Sequence, residues 1–295
     1  MKKRLFFIFA CCAFVAQAAK VGASYCVIDL AGGSNAASYP VKYLDDAPRG
    51  GFNQREYKTT KLVLKRVEAG SFTMGSEAER DNKPHTVVLT KPFYLGIFEV
   101  TQRQWELVMG SNPSCFTADG AAKPVERVTS NDIRGRASGS NWPASNAVDA
   151  SSFLGLLRAR TKLDFDLPTE AQWEYACRAG AKMSYGYGDK ADGAYMWYDE
   201  NSSDGTKEVG TKRPNDWGFY DMHGNVWEWC LDRYATSLSA ATDPKGAPSG
   251  TYRVMRGGGW YYDAHVATAS FRNNANAPDA GHHHGFRLSL PQPCE

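Results

Sequence analysis

Apolar and polar positions along the chain change rhythm near residue 180. Before it, short alternating runs and three stretches of helical spacing stand out. A strand is predicted over 61–67, and the turn Glu68-Ala69-Gly70 leads from it into Phe72-Thr73-Met74-Gly75. Residues 86–90 and 93–100 are β-branched or aromatic and read as two strands separated by Lys91-Pro92. Thr101 and Gln104 form a capping box, after which Trp105, Val108 and Met109 fall on one helical face. A second helix is predicted over 149–160, with Phe153, Leu156 and Leu157 facing inward. A third starts with the capping box Thr169-Glu170-Ala171-Gln172, turns Trp173, Ala176 and Cys177 to its apolar side, and ends at Gly180. Beyond Gly180 no helical period remains, and Gly, Asn, Asp, Pro and aromatic residues dominate. Residues 181–295 are therefore expected to be short strands and long ordered loops. Residues 19–61 show little periodicity and read as an N-terminal extension to a domain over 62–292.

Helices early and irregular structure late fit neither a doubly wound nor a barrel pattern. No internal repeat, P-loop lysine, G-x-G-x-x-G or G-x-S-x-G elbow is present. The first residues add a compartment. Met1-Lys2-Lys3-Arg4 is basic, 5–15 is apolar, and Ala16-Gln17-Ala18 is an A-x-A cleavage pattern, so residues 1–18 read as a signal peptide. The apolar run is too short to span a bilayer. Export to a periplasmic or extracellular location is expected, in preference to a lipoprotein acylated at Cys11 or Cys12. Losing Lys2, Lys3 and Arg4 moves the formal charge from +2 to −1. No basic cluster is left to suggest nucleic acid. Five cysteines would remain, Cys26, Cys115, Cys177, Cys230 and Cys294, and an oxidising compartment favours pairing. Their spacing does not suggest zinc.

The richest block is Gly224-Asn225-Val226-Trp227-Glu228-Trp229, followed by Arg256-Gly257-Gly258-Gly259-Trp260 and Gly285-Phe286-Arg287. Two tryptophans around one Glu are poorly suited to a solvated loop, because indole is mostly apolar and its N–H needs a partner. With Gly70-Ser71-Phe72-Thr73-Met74-Gly75, Pro84-His85-Thr86-Val87, 167–178 and Trp217-Gly218-Phe219-Tyr220-Asp221-Met222, in this order, these blocks resemble the formylglycine-generating enzyme (sulfatase-modifying factor) family. The resemblance covers about 62–290. It implies an α+β, C-type-lectin-like fold with little regular secondary structure, long ordered loops and a cleft near the C-terminal loops. It also implies one structural calcium at the Gly-Asn turn, with Asn225 and Glu228 as the matching side-chain ligands; hydrogen bonding within the turn is the competing reading. Calcium accepts carboxylate and carbonyl oxygens in irregular geometry.

The family's chemistry fares differently. Active members carry a serine where this chain has Gly259, and two cysteines within the next dozen residues. Here no cysteine occurs over 231–293. The family reaction needs thiolates to hold copper and to form a mixed disulfide. No copper is therefore expected, and no catalytic residue is assigned. In active members the cysteine corresponding to Cys177 pairs with a C-terminal one that is missing here; Cys177 and Cys230, both in blocks expected to be buried, are expected to bridge instead. Ergothioneine-synthesis relatives use an iron held by histidines, but no extra helical domain or helical H-x-x-x-H is present.

What remains is a surface. The segment between Trp260 and Gly285 is rich in Tyr, Asp, His, Asn and Ser, the residue types of adaptable recognition loops. Trp229, Trp260, Tyr261, Tyr262, Asp263, His265, Asn273, Asn274, His282, His283 and His284 are the candidate ligand-binding residues. This composition also resembles that of the variable proteins of diversity-generating retroelements, which share the fold; ordinary polar loop composition is the plainer alternative. His282 to His284, being consecutive, cannot all face one ion from a strand. The expectation is an exported, non-catalytic binding module for a protein or glycan, a sulfatase or active paralogue among the partners. The alternative is an oxidative enzyme with a relocated nucleophile at Cys177, Cys230 or Cys294.

Overall fold

The computed structural model describes residues 22–292. The signal-peptide segment and Cys294 lie outside them. Along the chain run β1 (Tyr25–Asp29), β2 (Val41–Leu44), α1 (Arg55–Thr59), β3 (Lys61–Val67), β4 (Gly70–Met74), β5 (His85–Leu89) and β6 (Phe93–Gly96). Then come α2 (Gln102–Met109), α3 (Ser130–Arg134), α4 (Phe153–Thr161), α5 (Glu170–Arg178) and α6 (Asp199–Ser202). The C-terminal part holds β7 (Trp227–Arg233), β8 (Ala241–Thr242), β9 (Tyr252–Arg256), β10 (Asn273–Asn276), β11 (His284–Gly285) and β12 (Ser289–Pro291). About 19% of the described residues are helix and 22% strand, so helix falls well short of the usual third for globular domains and loops carry much of the packing.

The main sheet has the order β12-β6-β3-β1-β2. Side chains alternate across it, as the period of two requires. Leu62 and Leu64 join Cys26 and Ile28 on one face, where Trp105, Phe153, Leu157 and Phe286 pack. Val63, Val67 and Val27 face the other way, onto Trp173, Ala176, Cys177 and Phe219. β1 pairs with β3 from Tyr25↔Lys65 to Asp29↔Lys61. The expected N-terminal extension therefore supplies two strands of the main sheet from its described part, and the weak periodicity of β1 reflects burial on both faces.

Capping fixes the helices much as expected. The Thr101 and Thr169 side chains each accept from the residue three positions on, and Gln104 and Gln172 return the bond. α4 starts at Phe153, four residues later than the hydrophobic pattern indicates, behind the N-cap Ser152, whose hydroxyl accepts from Gly155 N–H. α5 closes on Ala179, left-handed at φ 47°, one residue before Gly180. α3 has its own capping box, Thr129 with Asp132, not foreseen because only five residues follow it.

A second sheet, β10-β9-β7-β11, carries the Trp-Glu-Trp block at its centre. β11 runs parallel to β7, His284 opposite Trp227 and Gly285 opposite Glu228. A third, β4-β5-β8, lies at the periphery with β4 on its edge.

Candidate functional site

The site is built around the turn that enters β7. Gly224 has φ 85°, and a Cβ there would lie 2.0 Å from the Trp197 carbonyl oxygen, so only glycine fits. Asn225 follows at φ 62°. The turn is stitched to the Gly-rich block: Gly224 N–H donates to the Gly257 carbonyl at 2.7 Å, and Trp260 N–H to the Asn225 carbonyl at 2.7 Å. This places Trp260 and the residues after it directly over the start of β7.

Glu228 is fully buried and meets Arg287 twice, Oε1 to Nη2 and Oε2 to Nε at 2.6 Å each, while the Trp173 indole donates to Oε2 at 2.8 Å. Asn225 points elsewhere. Its Nδ2 donates to Glu99 Oε2 at 2.7 Å and its Oδ1 accepts from Lys207 N–H at 3.0 Å. Burial, with Asp221 and Glu228 nearby, pushes the Glu99 carboxyl well above the usual carboxylate range. Burial likewise raises Asp221 to about 6. The side chains of Asn225 and Glu228 thus do not converge on a common point. In this arrangement the pair does not fit a calcium ion, because the Arg287 guanidinium already neutralises Glu228 and both carboxylate oxygens are engaged by Arg287 or Trp173. Among the described residues, no group of three His, Cys, Asp or Glu side chains is arranged to hold a metal.

The cysteines are not bridged. Cys26, Cys115, Cys177 and Cys230 are all free, which corrects the expected Cys177–Cys230 disulfide. The Cys177 thiol is directed at the Met222 carbonyl and the His223 ring, 3.5 Å from Nε2, whereas Cys230 turns toward the Glu228 carbonyl on its own strand. Burial raises both thiols above their ordinary range. His223 is held neutral beside Cys177: burial lowers its pKa to about 4, although Nδ1 lies 2.7 Å from the Ala267 carbonyl. Buried thiols with raised pKa values are typical of structural cysteines, and neither Cys177 nor Cys230 reaches the surface.

Above this core lies an aromatic and histidine cluster. Trp260 is 8% exposed and Tyr261 63%. Their ring centroids are 5.4 Å apart, and His282 sits 5.5 Å from Trp260 and 6.2 Å from Tyr261. Tyr262 stands between Trp227, at 5.6 Å, and His283, at 5.1 Å, with its hydroxyl 3.0 Å from His283 Nε2. Burial and the two adjacent imidazoles lower His283 to about 3, so it is uncharged at neutral pH. Sequence reasoning missed Phe116, which packs edge-on against Trp260 at 5.2 Å, and the exposed Cys115 before it. No local pattern in Asn112-Pro113-Ser114 signals that contact.

Other candidates are placed differently. Trp229 has no exposed surface, donates to the Val128 carbonyl at 2.9 Å and packs against the buried His284 at 5.4 Å. Both support the surface from beneath. Asp263 and His265 form an exposed pair at 2.8 Å. Asn273 and Asn274 lie half-buried on β10, an edge strand, opposite Met255 and Val254.

Residues 47–290 match the sulfatase-modifying factor enzyme 1-like domain. Chaperone protein LppX of Paenibacillus barcinonensis is 30% identical over 262 residues, covering 77% of this chain and 88% of that protein. The formylglycine-generating enzyme of Bos taurus is 28% identical over 275 residues, 77% of this chain and 73% of that one. Among solved structures, Treponema denticola variable protein 1 superposes with a TM-score of 0.67 at 29% identity, covering 79% of this chain and 96% of that chain. The α+β architecture described above is the C-type-lectin-like fold of these proteins.

Proposed function

We propose that this chain, which belongs to the sulfatase-modifying factor (formylglycine-generating enzyme) family, is an exported, non-catalytic binding module whose recognition surface is the cluster of Trp260, Tyr261, Tyr262, His282 and His283. One observation carries the reading. In the segment where active members place their thiols, this chain puts aromatic rings that touch one another and leave Tyr261 projecting. Rigid aromatic side chains with hydrogen-bonding tips give large contact area at low entropic cost. A protein ligand is supported by a relative named as a chaperone protein; a sulfatase-type enzyme or an active paralogue suits the family, and a glycan is the competing ligand.

The test has two arms. Co-expression with a sulfatase peptide carrying the cysteine motif, read by mass spectrometry, is expected to leave the thiol intact; conversion to the aldehyde would overturn the non-catalytic reading. The mature protein, immobilised, is then offered culture supernatant and a glycan array. Specific capture that disappears in Tyr261→Ala supports the surface, whereas capture unaffected by that change rejects it.

A second reading rests on the likeness to Treponema denticola variable protein 1: residues 260–285 are a diversified segment. A template repeat and a reverse transcriptase beside the coding sequence would establish it.

A further inference from the structure

We infer that the open edge of β4 is a second binding site, one that takes an uncharged, extended peptide strand. The inference is independent of the aromatic surface proposed above. β4 pairs with β5 from Gly70↔Leu89 to Met74↔His85. On its other side β5 pairs with β8, and the Val88 carbonyl accepts from Asp243 N–H at 2.8 Å. Val88 therefore faces β8. Residues of an antiparallel pair alternate between hydrogen-bonded and non-hydrogen-bonded positions. Ser71, opposite Val88, and Thr73, opposite Thr86, are then the non-bonded positions, so their N–H and C=O groups point away from β5. Among the described residues no other group hydrogen-bonds to them. A free ladder of this spacing is what strand addition uses.

The edge does not open onto bulk solvent alone. Ser71, Phe72 and Thr73 form one wall of a cleft of about 550 Å³, with Tyr175, Met183 and Trp217 among the residues facing them. At roughly 3.3 Å per residue, Ser71 to Thr73 accommodates about three residues of an added strand. Phe72 and Tyr175 are 5.1 Å apart, and Tyr175 and Trp217 meet edge-on at 5.0 Å. This aromatic wall also borders an adjoining cleft of about 290 Å³. The Tyr175 hydroxyl and the Trp217 indole N–H have no hydrogen-bond partner among the described residues, which leaves two donors for an occupant.

Charge selects what kind. The ionisable groups on the cleft are Glu77, Arg178, Lys182 and Asp189, two of each sign. Arg178 is held by Glu174 at 2.7 Å, Glu77 lies 3.8 Å from Lys83, and Asp189 accepts from Ser184. With no net formal charge among these groups, the cleft favours a neutral backbone carrying an apolar or aromatic side chain. The backbone ladder favours peptide over sugar, since a glycan would use the rings but not alternate amides.

The test selects a displayed random heptapeptide library on the mature protein, and the enriched peptides are then synthesised. The key variant is Thr73→Pro. Its N–H points outward, so proline spares the β5 ladder and is tolerated on an edge, yet it removes a donor and blocks strand addition. Binding is expected to weaken at least tenfold in Thr73→Pro and to stay within twofold in Thr73→Ala. N-methylation of alternate peptide amides is expected to cost at least tenfold on the wild-type protein, a readout that stands even if the proline variant does not fold. Failure to enrich any peptide, binding that tolerates N-methylation, binding lost in Tyr261→Ala, or ligands found only on a glycan array would each overturn the inference.

Discussion

Glu228 and Arg287, 59 positions apart in sequence, lock together through two 2.6 Å contacts with neither side chain exposed. The pair joins β7 to the chain segment that returns to the main sheet, where Arg287 also donates to the carbonyls of Gly96 and Tyr220 at 3.0 Å. Breaking a buried pair from one side strands the other charge. Glu228→Ala is therefore expected to destabilise the fold by about 3–5 kcal/mol, read as a fall in the urea midpoint at unchanged slope. Glu228→Gln, which keeps an acceptor for Trp173, is expected to cost less. If chelator sensitivity is present in the wild type and vanishes in both Glu228 variants, Glu228 regains the cation role.

Asp232 makes a prediction about pH. It is buried on β7 and accepts from Glu170 N–H at 2.8 Å, and burial together with the Glu170 charge raises it to about 8. The native state thus holds its proton more tightly than the unfolded chain. An acid so raised costs nothing below its unfolded pKa near 4. It then erodes stability as pH climbs, until the loss levels off above about 8. Asp232→Asn keeps the acceptor and removes the titration. The melting temperature of the variant relative to wild type is expected to rise steadily between pH 5 and 8 and then flatten; a constant difference across that range would contradict a buried neutral carboxyl.

Local signals in the chain were readable, and distant ones were not. The capping boxes at Thr101 and Thr169 and the strand Lys61–Val67 lie where the pattern puts them, because each depends on neighbours within a few residues. β1 is hidden because its buried residues do not alternate and Cys26 finds its partner at Leu64, and β2 because it is a four-residue edge strand that pairs only with β1. The aromatic surface was partly legible: the tyrosines and histidines stand out by composition, yet Phe116 joins them only through folding. The family resemblance implies a cation at Glu228, whereas its contact with Arg287, 59 positions on, forms only in the fold.

Thiol accessibility checks the cysteine assignments. Cys115 is exposed, with Arg127 Nη1 3.5 Å from its sulfur, while Cys26, Cys177 and Cys230 are buried. Peptide-level mass spectrometry after brief alkylation of the native, unreduced protein is expected to find Cys115 modified and those three protected. Alkylation after denaturation without reductant is expected to modify all four. Protection of Cys177 and Cys230 that persists in denaturant and ends only on reduction would reinstate the bridge.

The two neighbouring tyrosines of the surface separate recognition from support. Tyr261 projects into solvent and meets Trp260, Tyr262 and His282 along one side. Tyr262 is wedged between Trp227 and His283 and shares a hydrogen bond with the latter. Removing an exposed ring gives up little folding energy, whereas removing a packed one opens a cavity and leaves His283 without its partner. Tyr262→Ala is expected to cost about 2–3 kcal/mol, and Tyr261→Ala to leave the urea midpoint within error. The effect on ligand capture should run the other way for Tyr262→Phe, which keeps the packed ring: near-normal capture there, against strong loss in Tyr261→Ala. Equal loss of stability in both alanine variants would mean that Tyr261 is part of the packing and not a free recognition anchor.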